Sequence, residues 1–116
     1  MDASKFKADP DYPNRVLTHY AKRVVEIEEF RTQVEEERPD LIGVLDEYTT
    51  VIVKDTALMN GLIRLCAMVK TGRITLDEWR YQSETIQRQH AIYTTRCDDI
   101  AHFITLAFRA ETVGVA

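Results

Sequence analysis

The sequence has few of the residues that break helices, with four glycines and three prolines in 116 positions. That scarcity excludes a turn-rich all-β domain and favours long uninterrupted helices. Two cysteines, Cys66 and Cys97, are too few for a disulfide framework, and neither stands in a C-x-x-C or Cys/His spacing that would hold zinc. Both are expected as buried free thiols. No run of about 18 apolar residues occurs, so no membrane span is expected. The opening MDASKFKADPDYP lacks the apolar stretch of a secretory signal, which points to the cytoplasm. A Gly-rich phosphate loop, G-x-S-x-G, H-E-x-x-H and the calcium-loop pattern are also missing, and the three histidines are scattered. No metal site and no cofactor are expected.

What is present is a chain 45% hydrophobic and 29% charged, ordinary for a globular domain. Its length suits one core that buries about two-thirds of the surface of the unfolded chain. Three helical segments account for nearly all of it, over about residues 14–37, 41–70 and 76–110. Residues 1–12 are expected as an extended N-terminal segment and 111–116 as a frayed C-terminus. Pro13 suits a first helical turn, with Tyr12 or Asn14 as the cap. Leu17, Tyr20, Val24, Ile27 and Val34 then keep the 3-4 spacing of an amphipathic helix. Pro39 stands two residues beyond Glu37 and Asp40 is a candidate cap for the second helix, so the joint makes either a tight antiparallel hairpin or a kink.

The second segment carries two overlapping apolar seams in coiled-coil-like four-three spacing. One runs Leu41, Leu45, Tyr48, Ile52, Asp55, Met59, Leu62, Cys66, Val69; the other runs Val44, Tyr48, Val51, Asp55, Leu58, Leu62, Leu65, Val69. A face that wide serves two neighbours and makes this the central helix. In KTGRITLDEW, Gly72 suits a left-handed C-terminal residue, Thr75 and Glu78 form a T-x-x-E capping box, and Ile74 can staple to Trp79. The expected fold is all-α, an antiparallel up-down-up bundle of three long helices.

Asp55 lies in both seams. An unpaired carboxylate there would cost several kcal/mol, so a partner is expected. Counting outward from the two joints places 55 near 93 and near 23, among Tyr93, His90, Arg23 and Tyr20, and Arg23 is the predicted partner. The same register puts Cys97 near Val51, about 20 Å from Cys66, too far for a disulfide.

Two functional readings follow. The first is a non-enzymatic protein-interaction module that self-associates as a homodimer or takes a basic protein partner, as adaptor, assembly factor or inhibitor. Residues 26–47 hold nine acidic side chains against Arg31 and Arg38, collecting negative charge at the end of the bundle that holds the first joint. There the third helix ends in IAHFITLAF, whose apolar residues spread over about 200° of arc, too wide for one neighbour to cover. Phe103, Leu106 and Ala110, rimmed by Glu35, Glu36, Glu37, Asp98 and Asp99, are the predicted binding surface. The second reading is a Mg²⁺-dependent enzyme like the all-α nucleotide pyrophosphohydrolases, using Glu26, Glu29 and Asp46 on the first two helices. Nucleic acid is not an expected partner, because the net charge is -4 and Arg80, Arg88 and Arg96 form no basic stripe.

Overall fold

The computed structural model describes residues 11–115, with side chains up to residue 108. It is an all-α three-helix bundle. Helix α1 spans Asp11–Glu37, a short 3₁₀ turn covers Pro39–Leu41, α2 spans Ile42–Lys70 and α3 spans Leu76–Val115. At about 1.5 Å per residue the third helix alone is about 60 Å long, which matches the long dimension of the 61 × 22 × 19 Å molecule. No helix among the described residues is long and apolar enough to cross a membrane.

Helix α1 is already helical at Asp11, so Tyr12 is a helical residue and not the cap. Proline is tolerated throughout a first turn because its missing N–H would have no intrahelical acceptor there. Residues 1–10 of the expected extended segment lie outside the described residues. At the other end α3 continues to Val115, five residues beyond the expected stop at 110; no helix breaker precedes Gly114.

Pro39 makes a hairpin. Arg38 leaves the helix at φ -142°, ψ 66°, and the Leu41 N–H donates to the Arg38 carbonyl at 2.9 Å to close the turn. Asp40 does not cap α2, which has no side-chain cap. Its carboxylate is instead gripped by the Arg38 guanidinium at 2.8 and 3.0 Å, and this hydrogen-bonded partner holds its pKa below the usual carboxylate range. Arg38 also donates to the Ala107 carbonyl at 3.2 Å, tying the joint to α3.

The second joint follows its sequence signals. Gly72 has φ +74°. Its N–H reaches the Val69 carbonyl at 3.2 Å and the Arg73 N–H reaches that of Met68 at 2.9 Å, the paired bonds of a Schellman end. Thr75 Oγ1 accepts from the Glu78 N–H at 3.1 Å, and the Thr75 hydroxyl lies 3.2 Å from the Glu78 carboxylate. Ile74 packs on the cluster that contains Trp79.

Both outer helices lie along α2, and their backbones stay apart from each other while side chains such as Phe30 and Phe108 meet between them. Their core divides into two apolar clusters. One gathers Ile27, Val34, Leu45, Ile52, Ile100 and Ile104 toward the first joint. The other gathers Met59, Leu62, Leu65 and Trp79 toward the second. Every residue of the first predicted seam from Leu41 to Cys66 is buried, and Val69 is half-buried.

Two glycines separate conformational from steric cost. A Cβ on Gly72 would meet nothing within 4 Å, so Gly72→Ala is expected to lose about 1 kcal/mol purely from the left-handed backbone. Gly61 lies inside α2 with only the Arg64 side chain nearby, at 3.9 Å. Gly61→Ala is therefore expected to gain about 0.5–1 kcal/mol. Urea denaturation of both variants checks the opposite signs.

Candidate functional site

Between the two apolar clusters lies a layer of buried polar groups centred on Asp55, whose side chain is fully buried. Tyr20 of α1 donates its hydroxyl to Asp55 Oδ2. From α3, His90 Nδ1 approaches the two carboxylate oxygens at 2.8 and 3.0 Å. A carboxylate only accepts, so the Nδ1 position carries the proton. In the neutral ring Nε2 is then an acceptor, and the Tyr12 hydroxyl lies 2.9 Å from it, ready to donate. The chain Tyr12, His90, Asp55, Tyr20 thereby satisfies a carboxylate and an imidazole that are otherwise shut away from water.

The predicted Asp55–Arg23 pair is not formed. Arg23 instead pairs with Glu26 at 3.0 Å, one turn along α1. The reason is register. Across α1 and α2 the observed partners are Tyr20 with Asp55 and Arg31 with Asp46; across α2 and α3 they are Asp55 with His90 and Glu47 with Arg96. On both sides the partner of 55 stands three residues, nearly one turn, before the position counted from the joints. The face is retained and the level shifts by about 4.5 Å, replacing Arg23 by Tyr20 and Tyr93 by His90.

Ser83 and Gln87 are further buried polar side chains on α3 that the apolar pattern does not reveal. Ser83 donates to the Arg80 carbonyl at 3.1 Å. Among the described residues Gln87 Nε2 and Trp79 Nε1 are buried without a hydrogen-bond partner. Both cysteines are buried and free, as expected.

The predicted interaction residues fall in three places. Phe103 and Leu106 are on the solvent side of α3, 52% and 46% exposed, while the nearby Phe30 packs instead on Phe108 with ring centroids 5.2 Å apart. Glu35, Glu36 and Glu37 are exposed at the end of α1. Asp98 and Asp99, adjacent in sequence, diverge by about 100° on the helix: Asp98 lines a groove between α1 and α3, and Asp99 is on the outer face. The side chain of Ala110 lies outside the described residues.

The carboxylates of the enzymatic reading are not brought together. Glu26 is held by Arg23 and Asp46 by Arg31 at 2.6 Å, while Glu29 is exposed. No group of three or more potential metal ligands occurs among the described residues.

An Asp–His–hydroxyl sequence is also the arrangement of an oriented general base. Here its electrostatics work against nucleophilic use. Burial first, and the Asp55 charge second, push the Tyr12 phenol above its ordinary range. Burial and the hydrogen bond to Asp55 do the same to Tyr20. Burial and Asp55 push the Cys97 thiol up to about 11. Each group is held in its protonated form, the opposite of what an attacking oxyanion or thiolate needs. Comparison with protein-family models, curated proteins and solved structures finds no match to this chain.

Two measurements test the layer. Tyr20→Phe is expected to cost about 1–2 kcal/mol by removing a donor from a buried carboxylate. Arg23→Ala, which removes only an exposed ion pair, is expected to stay within about 0.5 kcal/mol. The pH dependence follows from Cys97 and Tyr20. Both bind their protons more tightly when folded, so their contribution is complete below the ordinary values of 9.0 and 10.0 and is lost as pH rises. Unfolding free energy is expected to fall between pH 9 and 11, and to fall less steeply in Cys97→Ala.

Proposed function

We propose that the chain is a protein-interaction module that self-associates through the outer face of α3. The observation that carries this reading is a line of exposed apolar side chains on the side of α3 opposite its core residues: Tyr81 72%, Ile92 60%, Phe103 52% and Leu106 46% exposed. At 3.6 residues per turn they fall within an arc of about 60°, and from Tyr81 to Phe103 they span about 33 Å. Scattered surface apolars are ordinary; these share one face of α3, with Thr85, Arg88 and Asp99 between them, so the contact they offer a second helix is made of separate apolar points joined by polar ones.

Three of the four, Tyr81, Ile92 and Phe103, are symmetric about Ile92, and this argues for a second copy as their occupant. Tyr81 and Phe103 stand eleven positions before and after Ile92. Two α3 helices related by a two-fold axis at Ile92 would place Ile92 on Ile92 and Tyr81 on Phe103, the self-complementary contact an isologous dimer requires. The same pairing brings Arg88 to within about one turn of Asp99 of the other copy, twice. Among the described residues Arg88 pairs with Glu84, at 3.8 Å. A basic partner drawn to the exposed Glu35, Glu36 and Glu37 end is the other occupant consistent with the charge distribution.

Half-exposed side chains of this size contribute on the order of 1 kcal/mol each when covered, or about 8 for the four residues of both copies. Association costs about 4–15 kcal/mol, so the line supports a weak, concentration-dependent dimer. Sedimentation velocity across a concentration series is expected to show a monomer–dimer equilibrium that Ile92→Asp and Phe103→Asp both abolish while helicity persists. Ile92→Cys is expected to cross-link under mild oxidation, since the axis brings the two thiols together while Cys66 and Cys97 stay buried. A monomer at every concentration, or a dimer indifferent to both aspartates, would overturn the reading.

A further inference from the structure

A groove runs between α1 and α3 over the floor that α2 provides. Side chains meet across it at both ends, Tyr12 on His90 and Phe30 on Phe108. Between these ends are two hollows of about 480 and 140 Å³, and Arg23 and Tyr48 line both. The larger is within the usual size range of small-molecule sites. Its α3 wall is low, because Ala91, Thr94 and Thr95 are small side chains.

Tyr48 is the residue that packing does not account for. It is 7% exposed and belongs to the core cluster, yet its hydroxyl forms no hydrogen bond with the described residues. A buried phenol ordinarily finds a partner, as Tyr20 does on Asp55. The Tyr48 oxygen is directed at the groove. Burial pushes its phenol above the ordinary range, and the groups that act on it next, Arg23, Cys97, Asp98 and Glu26, each line one of the two hollows.

We infer that this groove binds an uncharged, flat aromatic molecule bearing a carbonyl, with its ring against Tyr12 and Tyr20 and its oxygen accepting from the Tyr48 hydroxyl. Tyr12 and Tyr20 have committed their hydroxyls to His90 and Asp55, so they offer ring surface, while Tyr48 offers a donor. The charges on the walls cancel. Arg23 is held by Glu26 at 3.0 Å, and Asp98 on α3 stands against Arg15 on α1, so neither an anion nor a cation gains a net attraction. Either ion would give up its hydration at a floor where desolvation already keeps the Tyr48 phenol and the Cys97 thiol protonated. A neutral ring gives up little and removes apolar surface from water.

The test is a titration of the amide NMR spectrum of the full chain with four probes of similar shape: acetophenone, ethylbenzene, benzoate and benzylammonium. It is repeated in Tyr48→Phe, which keeps the ring and removes the hydroxyl, and in Thr94→Trp, which fills the groove from an exposed position. Acetophenone is expected to give saturable shifts at His19, Tyr48, Thr94 and Cys97, and both ions to bind about tenfold more weakly or less. Tyr48→Phe should weaken acetophenone about tenfold, the loss of one hydrogen bond, and leave ethylbenzene unchanged. Thr94→Trp should abolish binding of both at an unchanged melting temperature. Absence of saturable shifts would overturn the inference, as would ions that bind as well as the ketone, or a preference for the ketone over ethylbenzene that survives Tyr48→Phe. Retained ethylbenzene binding in Tyr48→Phe separates a lost hydrogen bond from a lost groove.

Discussion

A carboxylate with no access to water sets the terms for this bundle. Asp55 is tolerable in the core only because a hydroxyl from α1 and an imidazole from α3 meet it at one level. Apolar packing alone does not discriminate strongly between registers that differ by a turn, since one leucine replaces another. A buried charge does, because a slip of about 5 Å leaves donor and acceptor unpaired at a cost of several kcal/mol. The two apolar clusters lie on either side of this layer, and the layer holds three helices in one axial alignment. From that alignment follow the rest of the features: which face of α3 is turned to solvent, and which residues of α1 and α3 face each other across the groove.

The layer also holds the hydroxyls of its Asp–His–Tyr sequence in their protonated form. Catalytic versions present the hydroxyl to a substrate and activate it through the neighbouring base or a lowered pKa. In this bundle burial and the Asp55 charge raise it at Tyr12, Tyr20 and Cys97 alike. The surface electrostatics follow a different rule. Arg31 with Asp46 and Arg96 with Glu47 tie neighbouring helices at partly exposed positions, where such pairs contribute only a little to stability. The excess of acid around the first joint is left unneutralised and shapes what can approach that end of the molecule.

Much of this architecture is legible in the residue order. The four-three seam of α2, the left-handed Gly72 and the T-x-x-E box each depend on neighbours within a turn or two, where sequence spacing equals spatial spacing. The outward turn of Phe103 and Leu106 is legible too, because an arc of about 200° exceeds what one helix groove can bury. What escapes is set by longer-range geometry. The level of Asp55 depends on how many residues each joint consumes, and an error of one turn exchanges Tyr20 and His90 for Arg23 and Tyr93. Ser83 and Gln87 occupy core positions as polar residues, so an apolar pattern reads them as surface. Asp40 has the identity and position of a cap, but Arg38 two residues away competes successfully for its carboxylate.

The central claim is that Asp55 and His90 stabilise the fold as a pair. A double-mutant cycle with Asp55→Leu, His90→Leu and the combined variant, followed by urea denaturation, addresses it directly. Each single change strands a buried polar group and is expected to cost about 3–5 kcal/mol; the double removes both partners and should cost less than the sum by about 2 kcal/mol or more. Costs that simply add would mean the two side chains do not interact, and the register of the bundle would have to be held by packing alone.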